Sequence, residues 1–196
     1  GLEHHAIPAH DIPQRINDAL AGLDAAHLRQ REVATLSGGE RQRALFALAL
    51  VGRRTTDSAL AEMAWPSRYP LAGARISSRF GNRRDPFTRR LARHTGVDMP
   101  APRGTPIVAS AGGTVRFAGY RRAYGNSVEI DHGDGLTTRY AHASQLLVRK
   151  GQVVLPEQPI ATVGSTGRST GPHLHFEVLR QGRPVEPLGY LGRRAP

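Results

Sequence analysis

The chain beyond residue 72 is a succession of short stretches typical of β-strands, and this pattern restricts the fold more than any other feature. Gly, Pro and Asp residues separate the stretches and favour turns, as in His132-Gly133-Asp134-Gly135. Short strands with frequent turns are typical of an all-β sandwich or a barrel-like sheet. The predicted strands comprise residues 105–110, 113–120, 126–131, 136–143, 159–163 and 173–180.

The first 65 residues show the spacing of helices instead. Apolar side chains between residues 12 and 28 recur at about one helical face, at Ile12, Ile16, Leu20, Leu23 and Leu28. A second helix is expected to begin at Ser37, because Ser37-Gly38-Gly39-Glu40 fits a capping box. A third, short helix is expected over residues 57–64. We therefore expect a small α-helical N-terminal segment ahead of the β-rich region.

The distribution of charge changes at the same place. Residues 1–65 hold 7 Arg and 8 acidic residues, for a net charge of −1, whereas residues 66–196 hold 20 basic and 8 acidic residues, for a net charge of +12. The two prolines that follow Trp65 favour an extended chain, because a residue before Pro is kept out of the helical region. We expect a linker over residues 66–72, a folded domain over 73–190 and a tail over 191–196.

The excess positive charge favours a polyanionic partner, such as nucleic acid, anionic lipid or an acidic cell-wall polymer, although arginine-rich codon usage explains it equally well. Specific nucleic-acid binding is not expected, because only 6% of the residues are aromatic and no recognition motif is present. The absence of Cys excludes disulfides, iron–sulfur clusters, a cysteine nucleophile and thiolate zinc sites. A metal ion would therefore need His, Asp or Glu ligands.

No stretch of the sequence is suited to cross a membrane. The longest uncharged apolar stretch, residues 44–52, is nine residues long, which is too short to span a bilayer. No signal peptide is visible at Gly1, so we expect the chain to be soluble as made or supplied without its leader.

Residues 36–43, Leu-Ser-Gly-Gly-Glu-Arg-Gln-Arg, resemble the signature sequence of ABC-transporter ATPases. In that family, amides at a helix N-terminus contact the nucleotide phosphate. The phosphate-binding loop that such an ATPase needs occurs nowhere in the chain. A capped helix is therefore the preferred interpretation.

Two pairs of side chains in the β-rich region have spacings suited to a metal ion. His94 and Asp98 lie four residues apart, and His173-Leu174-His175 falls in a predicted strand, where alternation places both imidazoles on one face. Imidazole nitrogen and carboxylate oxygen suit Zn²⁺ without thiolates, and three protein ligands with an open fourth position are typical of catalytic zinc sites. Each pair alone has limited specificity, because strand histidines are often held by ordinary hydrogen bonds.

Four motifs in order resemble the lysostaphin-type zinc endopeptidases, also called LytM-domain peptidases. The motifs are Arg79-Phe80-Gly81-Asn82-Arg83-Arg84-Asp85-Pro86-Phe87, His94-x-x-x-Asp98, Tyr140-Ala141-His142, and residues 164–177 around His173-Leu174-His175. The resemblance extends from about Trp65 to Leu188 and is closer to Gram-negative cell-wall members than to staphylococcal ones. It implies an antiparallel β-sheet core with the site in a groove. It also implies peptide bonds of peptidoglycan stems and cross-bridges as the substrate.

The resemblance further implies a role for each motif residue. His94, Asp98 and His175 would be the ligands of one Zn²⁺ ion, and His142 and His173 would be catalytic histidines that do not bind the metal. The expected chemistry is attack of zinc-bound water on the amide carbonyl, with one histidine moving the proton and the other stabilising the oxyanion. The assignment of these two roles stays open. The Arg-rich residues 86–93 lack the Tyr that some relatives carry there, which affects substrate positioning rather than metal binding.

We therefore expect a zinc-dependent endopeptidase that hydrolyses peptidoglycan peptides outside the cytoplasm, in the periplasm or cell envelope. The alternative is a non-catalytic LytM-type activator or cell-wall binding module, although such domains typically lack part of the ligand set. Residues 1–65 would be a regulatory segment or a docking segment for a protein partner. The bond that is cleaved and the oligomeric state stay open.

Two further residues each allow two interpretations. Glu177 shares the strand face of His175, and it would either orient that ligand or be a solvated strand residue. His132 is expected to be a turn residue rather than a ligand.

Overall fold

The computed structural model describes residues 64–73, 75–86 and 88–193. These residues belong to the second of the two units into which the chain divides, Ala61–Pro196. The first two expected helices with the Ser37 motif, residues 57–63 of the third, and the last three residues of the expected tail lie outside the described residues. Within the described ranges, no helix has the length and apolar character needed to cross a membrane.

Eleven strands lie within the described residues. They are β1 (Gly81–Arg84), β2 (Leu91–His94), β3 (Val97–Pro100), β4 (Pro106–Val108), β5 (Gly113–Arg121), β6 (Gly125–Gly133), β7 (Leu136–Leu146), β8 (Val153–Val154), β9 (Pro159–Val163), β10 (His173–Arg180) and β11 (Arg183–Val185). A 3-10 helix at Pro187–Gly189 follows β11.

Nine of these strands form one antiparallel sheet. Its central path runs in the order β11-β10-β7-β6-β5-β8, with β3 paired to β10, and with β9 paired to both β7 and β4. Strands β1 and β2 form a separate antiparallel hairpin. The predicted mainly β fold with an antiparallel sheet core is therefore confirmed.

The predicted strands agree with the observed ones where apolar alternation is clear. β9 and β10 have the predicted bounds, β5, β6 and β7 are longer than predicted, and β4 is shorter. The sequence pattern does not predict β1, β2, β3, β8 or β11. These strands have only two to four residues each, and the arginine-rich β1 and β2 show no apolar alternation.

The hydrophobic core lies against one face of the sheet. On β10, Leu174 and Phe176 are fully buried and belong to this core. Tyr140 on the neighbouring β7 packs against Phe176 with ring centroids 5.3 Å apart. Its hydroxyl lies 2.8 Å from Ser110 Oγ and 3.0 Å from Thr138 Oγ1, so the buried phenol has polar partners.

The core also includes residues that come before and after the expected domain, residues 73–190. Leu71, in the expected linker, and Leu191, in the expected tail, are both buried in it. Trp65 packs on Tyr190 with ring centroids 4.8 Å apart. The packed residues therefore extend into the stretches expected as linker and tail, while the domain division itself stays a prediction.

His132 occupies the end of β6 rather than the following turn. The turn residues are Asp134 and Gly135, both with positive φ, as a two-residue hairpin turn requires. His132 is buried, and its ring nitrogens lie 2.7 Å from Gly112 O and 2.8 Å from Thr138 Oγ1. Burial lowers its pKa to about 4.

Candidate metal centre

Three side chains from three strands converge at one end of the sheet. His94 ends β2, Asp98 lies on β3, and His175 lies on β10, which pairs directly with β3. His94 Nε2 is 3.2 Å from Asp98 Oδ1 and 3.1 Å from His175 Nδ1, and the latter two atoms are 2.9 Å apart. The three ligand atoms therefore form a nearly equilateral triangle.

In both imidazoles, the nitrogen that is not part of the triangle lies within hydrogen-bond distance of an acceptor. His94 Nδ1 lies 2.8 Å from Arg79 O, and because a carbonyl only accepts, Nδ1 carries the proton. His175 Nε2 lies 2.9 Å from a carboxylate oxygen of Glu177. Both outer nitrogens thus face acceptors outside the triangle, and with a cation at its centre His94 Nε2 and His175 Nδ1 would turn their lone pairs towards that cation.

The arrangement fits a zinc ion. Two imidazole nitrogens and a carboxylate oxygen converge, and a cation at their centre would satisfy all three as acceptors. Ligand atoms on a tetrahedral zinc ion with bonds of about 2.0–2.1 Å lie roughly 3.3 Å apart, close to the separations here. Burial raises the pKa of Asp98, but the adjacent imidazoles of His175 and His94 outweigh burial and hold the pKa well below its usual range. Asp98 is therefore anionic at neutral pH and suited to bind a cation.

Gly96, in the turn between β2 and β3, allows this convergence. A Cβ atom on Gly96 would lie 2.9 Å from Glu177 Cγ and 3.0 Å from His175 Cε1, and closer still to the carbonyl oxygen of Phe176. Only a residue without a side chain lets the turn approach β10 this closely. The spacing of His94 and Asp98 thus depends on the glycine between them.

His142 and His173 lie beside the triangle. Their ring centroids are 4.8 Å apart, and His173 Nε2 is 3.7 Å from Asp98 Oδ1. Their Nδ1 atoms lie 2.8 Å from the carbonyl oxygens of Thr166 and Gly171 respectively, in the loop between β9 and β10. Both rings therefore present Nε2 for proton exchange.

A β-bulge turns His142 towards the groove. Tyr140 pairs with Val128 and Ala143 pairs with Asn126, so two residues of β7 face one residue of β6. His142 is one of the two, and its φ of 64° is unusual for a residue other than glycine. Regular alternation would place His142 on the core face with Tyr140. The bulge is therefore what brings this imidazole to the site.

Glu177 is completely buried beneath the centre. Besides His175, its carboxylate accepts hydrogen bonds from the hydroxyls of Thr95 and Tyr124 and from the guanidinium of Arg139. Burial raises its pKa, but His175 and Arg139 outweigh burial and lower it. Of the two interpretations of Glu177, the structure supports the one in which it orients His175.

The centre opens into a groove of about 570 Å³. One wall is the β1–β2 hairpin, which contributes Arg83 and Ala92, and another is the loop that precedes β10. Arg168 of that loop forms an ion pair with Asp85 at the hairpin tip, with an N–O distance of 2.7 Å.

The five candidate site residues predicted from the sequence lie together in the groove: His94, Asp98, His142, His173 and His175. The residues that hydrogen-bond to them or to Glu177 could not be identified from the sequence. The carbonyl of Arg79, the guanidinium of Arg139 and the ring of Tyr124 act through contacts between segments distant in the chain. Tyr124 lines the groove from the β5–β6 connection, where the sequence shows only a turn. No spacing signal identifies these residues.

An antiparallel sheet that carries a His-Asp-His centre in a groove defines the class of LytM-type peptidase domains. Residues 92–187 match the model of Peptidase family M23. The chain belongs to this family.

A curated relative of similar sequence supports this family assignment. The chain is 47% identical over 123 residues to the peptidoglycan DD-endopeptidase ShyA of Vibrio cholerae, an overlap of 62% of this chain and 29% of that enzyme. It therefore spans less than a third of the length of such curated relatives.

Solved structures agree as well. A zinc-containing peptidase from Vibrio cholerae has a TM-score of 0.59 at 42% identity, covering 64% of this chain and 39% of that chain. The catalytic domain of lysostaphin from Staphylococcus simulans has a TM-score of 0.55 at 30% identity, covering 59% of this chain and 90% of that domain.

Proposed function

We propose that the protein is a zinc-dependent endopeptidase that hydrolyses peptide bonds in peptidoglycan stem or cross-link peptides. The observation that carries the proposal is the triangle of His94 Nε2, Asp98 Oδ1 and His175 Nδ1, in which both imidazoles have their outer nitrogens held by acceptors. Such a set of two neutral imidazoles and one carboxylate binds zinc and leaves a position for substrate or water. The presence of all three candidate metal ligands favours an enzyme over a non-catalytic activator, which typically lacks part of this set.

His94, Asp98 and His175 are the proposed zinc ligands. A zinc ion supplies a Lewis acid that polarises the scissile carbonyl and makes water a nucleophile at neutral pH. Glu177 holds the ring of His175 in the orientation that turns Nδ1 to the metal.

His142 and His173 are the proposed proton carriers. Each donates its Nδ1 proton to a loop carbonyl, so Nε2 is the nitrogen that accepts a proton from water or donates one to the leaving amine. A histidine N–H beside the reacting carbonyl also stabilises negative charge on its oxygen. The two rings lie 4.8 Å apart, so one can transfer the proton while the other stabilises the oxygen. Substituting each histidine singly and measuring kcat tests which histidine has which role.

Peptidoglycan is the proposed substrate, with the periplasm or cell envelope as the place of action. Two observations support it: one relative, ShyA of Vibrio cholerae, is named a peptidoglycan DD-endopeptidase, and residues 66–196 carry a net charge of +12. A basic domain is attracted to a wall whose peptides carry carboxylates.

Digestion of purified peptidoglycan tests the proposal. We expect peptides to be released and identified by mass spectrometry, the release to stop with a chelator, and zinc to restore it. His175→Ala should abolish release, whereas the control His132→Gln, a buried histidine outside the groove, should retain it. Release that is insensitive to chelator would contradict the metal assignment. Stoichiometric zinc binding without release from any wall preparation would indicate the activator function instead.

Residues 1–65 are proposed to regulate the peptidase or to dock a protein partner. Equal digestion rates of the full chain and of a chain cut before the β-rich region would exclude an inhibitory role. Capture of no envelope protein by residues 1–65 would exclude docking.

A further inference from the structure

Arg83 lies beside the proposed zinc ligands and has no part in the chemistry described above. In the β1–β2 hairpin, Gly81 pairs with His94 and Arg83 pairs with Ala92, so Arg83 and His94 lie on the same face of the hairpin. One terminal nitrogen of Arg83 is 3.4 Å from Asp98 Oδ2, the oxygen that points away from the other two ligands. The side chain is 35% exposed and lines the groove.

The other two arginines of the groove contact residues of their own. Arg168 pairs with Asp85, and the guanidinium of Arg93 lies over the ring of Phe80 at 5.2 Å from its centroid. Within the described residues, the charged partner of Arg83 is Asp98. A cation bound by Asp98 Oδ1 neutralises that carboxylate and weakens its hold on Arg83. The guanidinium is then positioned to donate hydrogen bonds to a second carboxylate.

We infer that Arg83 binds a carboxylate of the substrate close to the scissile amide and so makes the enzyme selective for acidic peptides. This inference rests on the proposed endopeptidase function and specifies its substrate. A guanidinium forms two parallel hydrogen bonds to a carboxylate, and an amide cannot reproduce this pair. If Asp98 binds the metal ion, its charge no longer balances that of Arg83, and Asp85 is already paired with Arg168. The groove near Arg83 then has an excess of positive charge.

The test uses two synthetic cross-linked stem-peptide dimers. One has free carboxylates flanking the scissile bond, and the other has the same carboxylates converted to primary amides. We expect the zinc-loaded full chain to show a kcat/KM about tenfold to a hundredfold higher for the acidic dimer, the range for hydrogen bonds to a charged group. Arg83→Gln should remove most of this preference by lowering kcat/KM for the acidic dimer. Arg83→Lys should retain part of it, because it keeps the charge but not the planar fork.

Arg84 provides the matched control. It is the next residue of β1, is exposed, and pairs with Leu91 on the opposite face of the hairpin. Arg84→Gln makes the same change in net charge and should leave the preference for the acidic dimer intact. An equal loss in Arg84→Gln would show that overall charge, not a carboxylate site at Arg83, sets the preference, and would overturn the inference.

The remaining outcomes separate the inference from the function on which it rests. If Arg83→Gln lowers kcat/KM equally for both dimers, or loses bound zinc, Arg83 acts by orienting Asp98 and the inference is wrong. If the wild-type chain cleaves both dimers equally well, the endopeptidase function stands and the inference is again wrong. If the zinc-loaded wild-type chain cleaves neither dimer nor whole peptidoglycan, the proposed function fails and the inference fails with it.

Discussion

Replacing Glu177 with Gln removes one negative charge from beneath the proposed metal centre while keeping the shape of the side chain. The carboxylate accepts from His175, Thr95 and Tyr124 at one oxygen and from Arg139 at the other. An amide has a single acceptor oxygen, and the arrangement with the fewest lost hydrogen bonds turns its NH₂ group towards Arg139. The substitution therefore weakens the hold on His175 and places two donors face to face at Arg139.

Two effects of known size follow. A group that hydrogen-bonds a metal-ligating histidine typically contributes about 10- to 100-fold in metal affinity, so we expect Glu177→Gln to weaken zinc binding by about this factor. Arg139 keeps a second carboxylate partner, Glu129, at 2.7 Å. The loss in folding stability should therefore stay at about 1–3 kcal/mol, the range for a buried polar group that loses a partner.

Zinc competition against a chromophoric chelator measures the affinity, and thermal unfolding of the chelated protein measures the stability. The matched control is Glu129→Gln, which makes the same change in charge and removes a partner of the same Arg139, but does not contact His175. We expect both variants to lose stability and only Glu177→Gln to lose zinc affinity. Unchanged zinc affinity in Glu177→Gln, or an equal loss in Glu129→Gln, would refute the reasoning.

Three further predictions follow from the same geometry. His94→Ala should lose bound zinc and peptidase activity together, and zinc bound at full stoichiometry in this variant, measured by elemental analysis, would contradict its assignment as a ligand. Gly96→Ala should weaken zinc binding and destabilise the fold by about 1–3 kcal/mol, because its Cβ meets the β10 backbone, whereas Gly189→Ala, where a Cβ meets nothing within 4 Å, should not. The pKa of His132 is lowered by burial to about 4 from 6.5. Because the unfolded state alone takes up this proton between pH 6.5 and 4, stability should fall by roughly 3 kcal/mol as the pH drops through that window. Denaturant titrations should show a much shallower fall in His132→Gln, and identical slopes would contradict the prediction.

The sequence predicts those parts of the molecule that depend on local periodicity. β10 is predicted with its observed bounds, because Leu174 and Phe176 alternate with His173 and His175, and the structure places the first pair in the core and the second in the groove. The same alternation predicts that the two histidines share a face. Local pattern was sufficient here because one face of β10 packs on the core.

Features that depend on contacts between distant segments could not be predicted in this way. The periodicity of β7 places His142 on the core face, and only a bulge against β6 turns it to the groove. Arg139 lies on the outer face of the same strand, where charged residues are usually solvated, yet its side chain is largely buried between Glu129 and Glu177. Arg139 lies 10 positions from Glu129 and 38 positions from Glu177 in the chain, and no spacing rule connects them.

The proposed metal centre joins side chains from two separate sheets of the structure. His94 belongs to the β1–β2 hairpin, which lies outside the nine-stranded sheet, whereas His175 belongs to β10 within that sheet. At its base the hairpin is held by backbone hydrogen bonds between residues 77–78 and Asp98. An ion shared by His94, Asp98 and His175 would tie the hairpin to the sheet, so that metal binding and the order of this wall are coupled. Since Arg83 lies on the same hairpin, loss of such an ion would loosen the wall that carries Arg83 together with the proposed ligands.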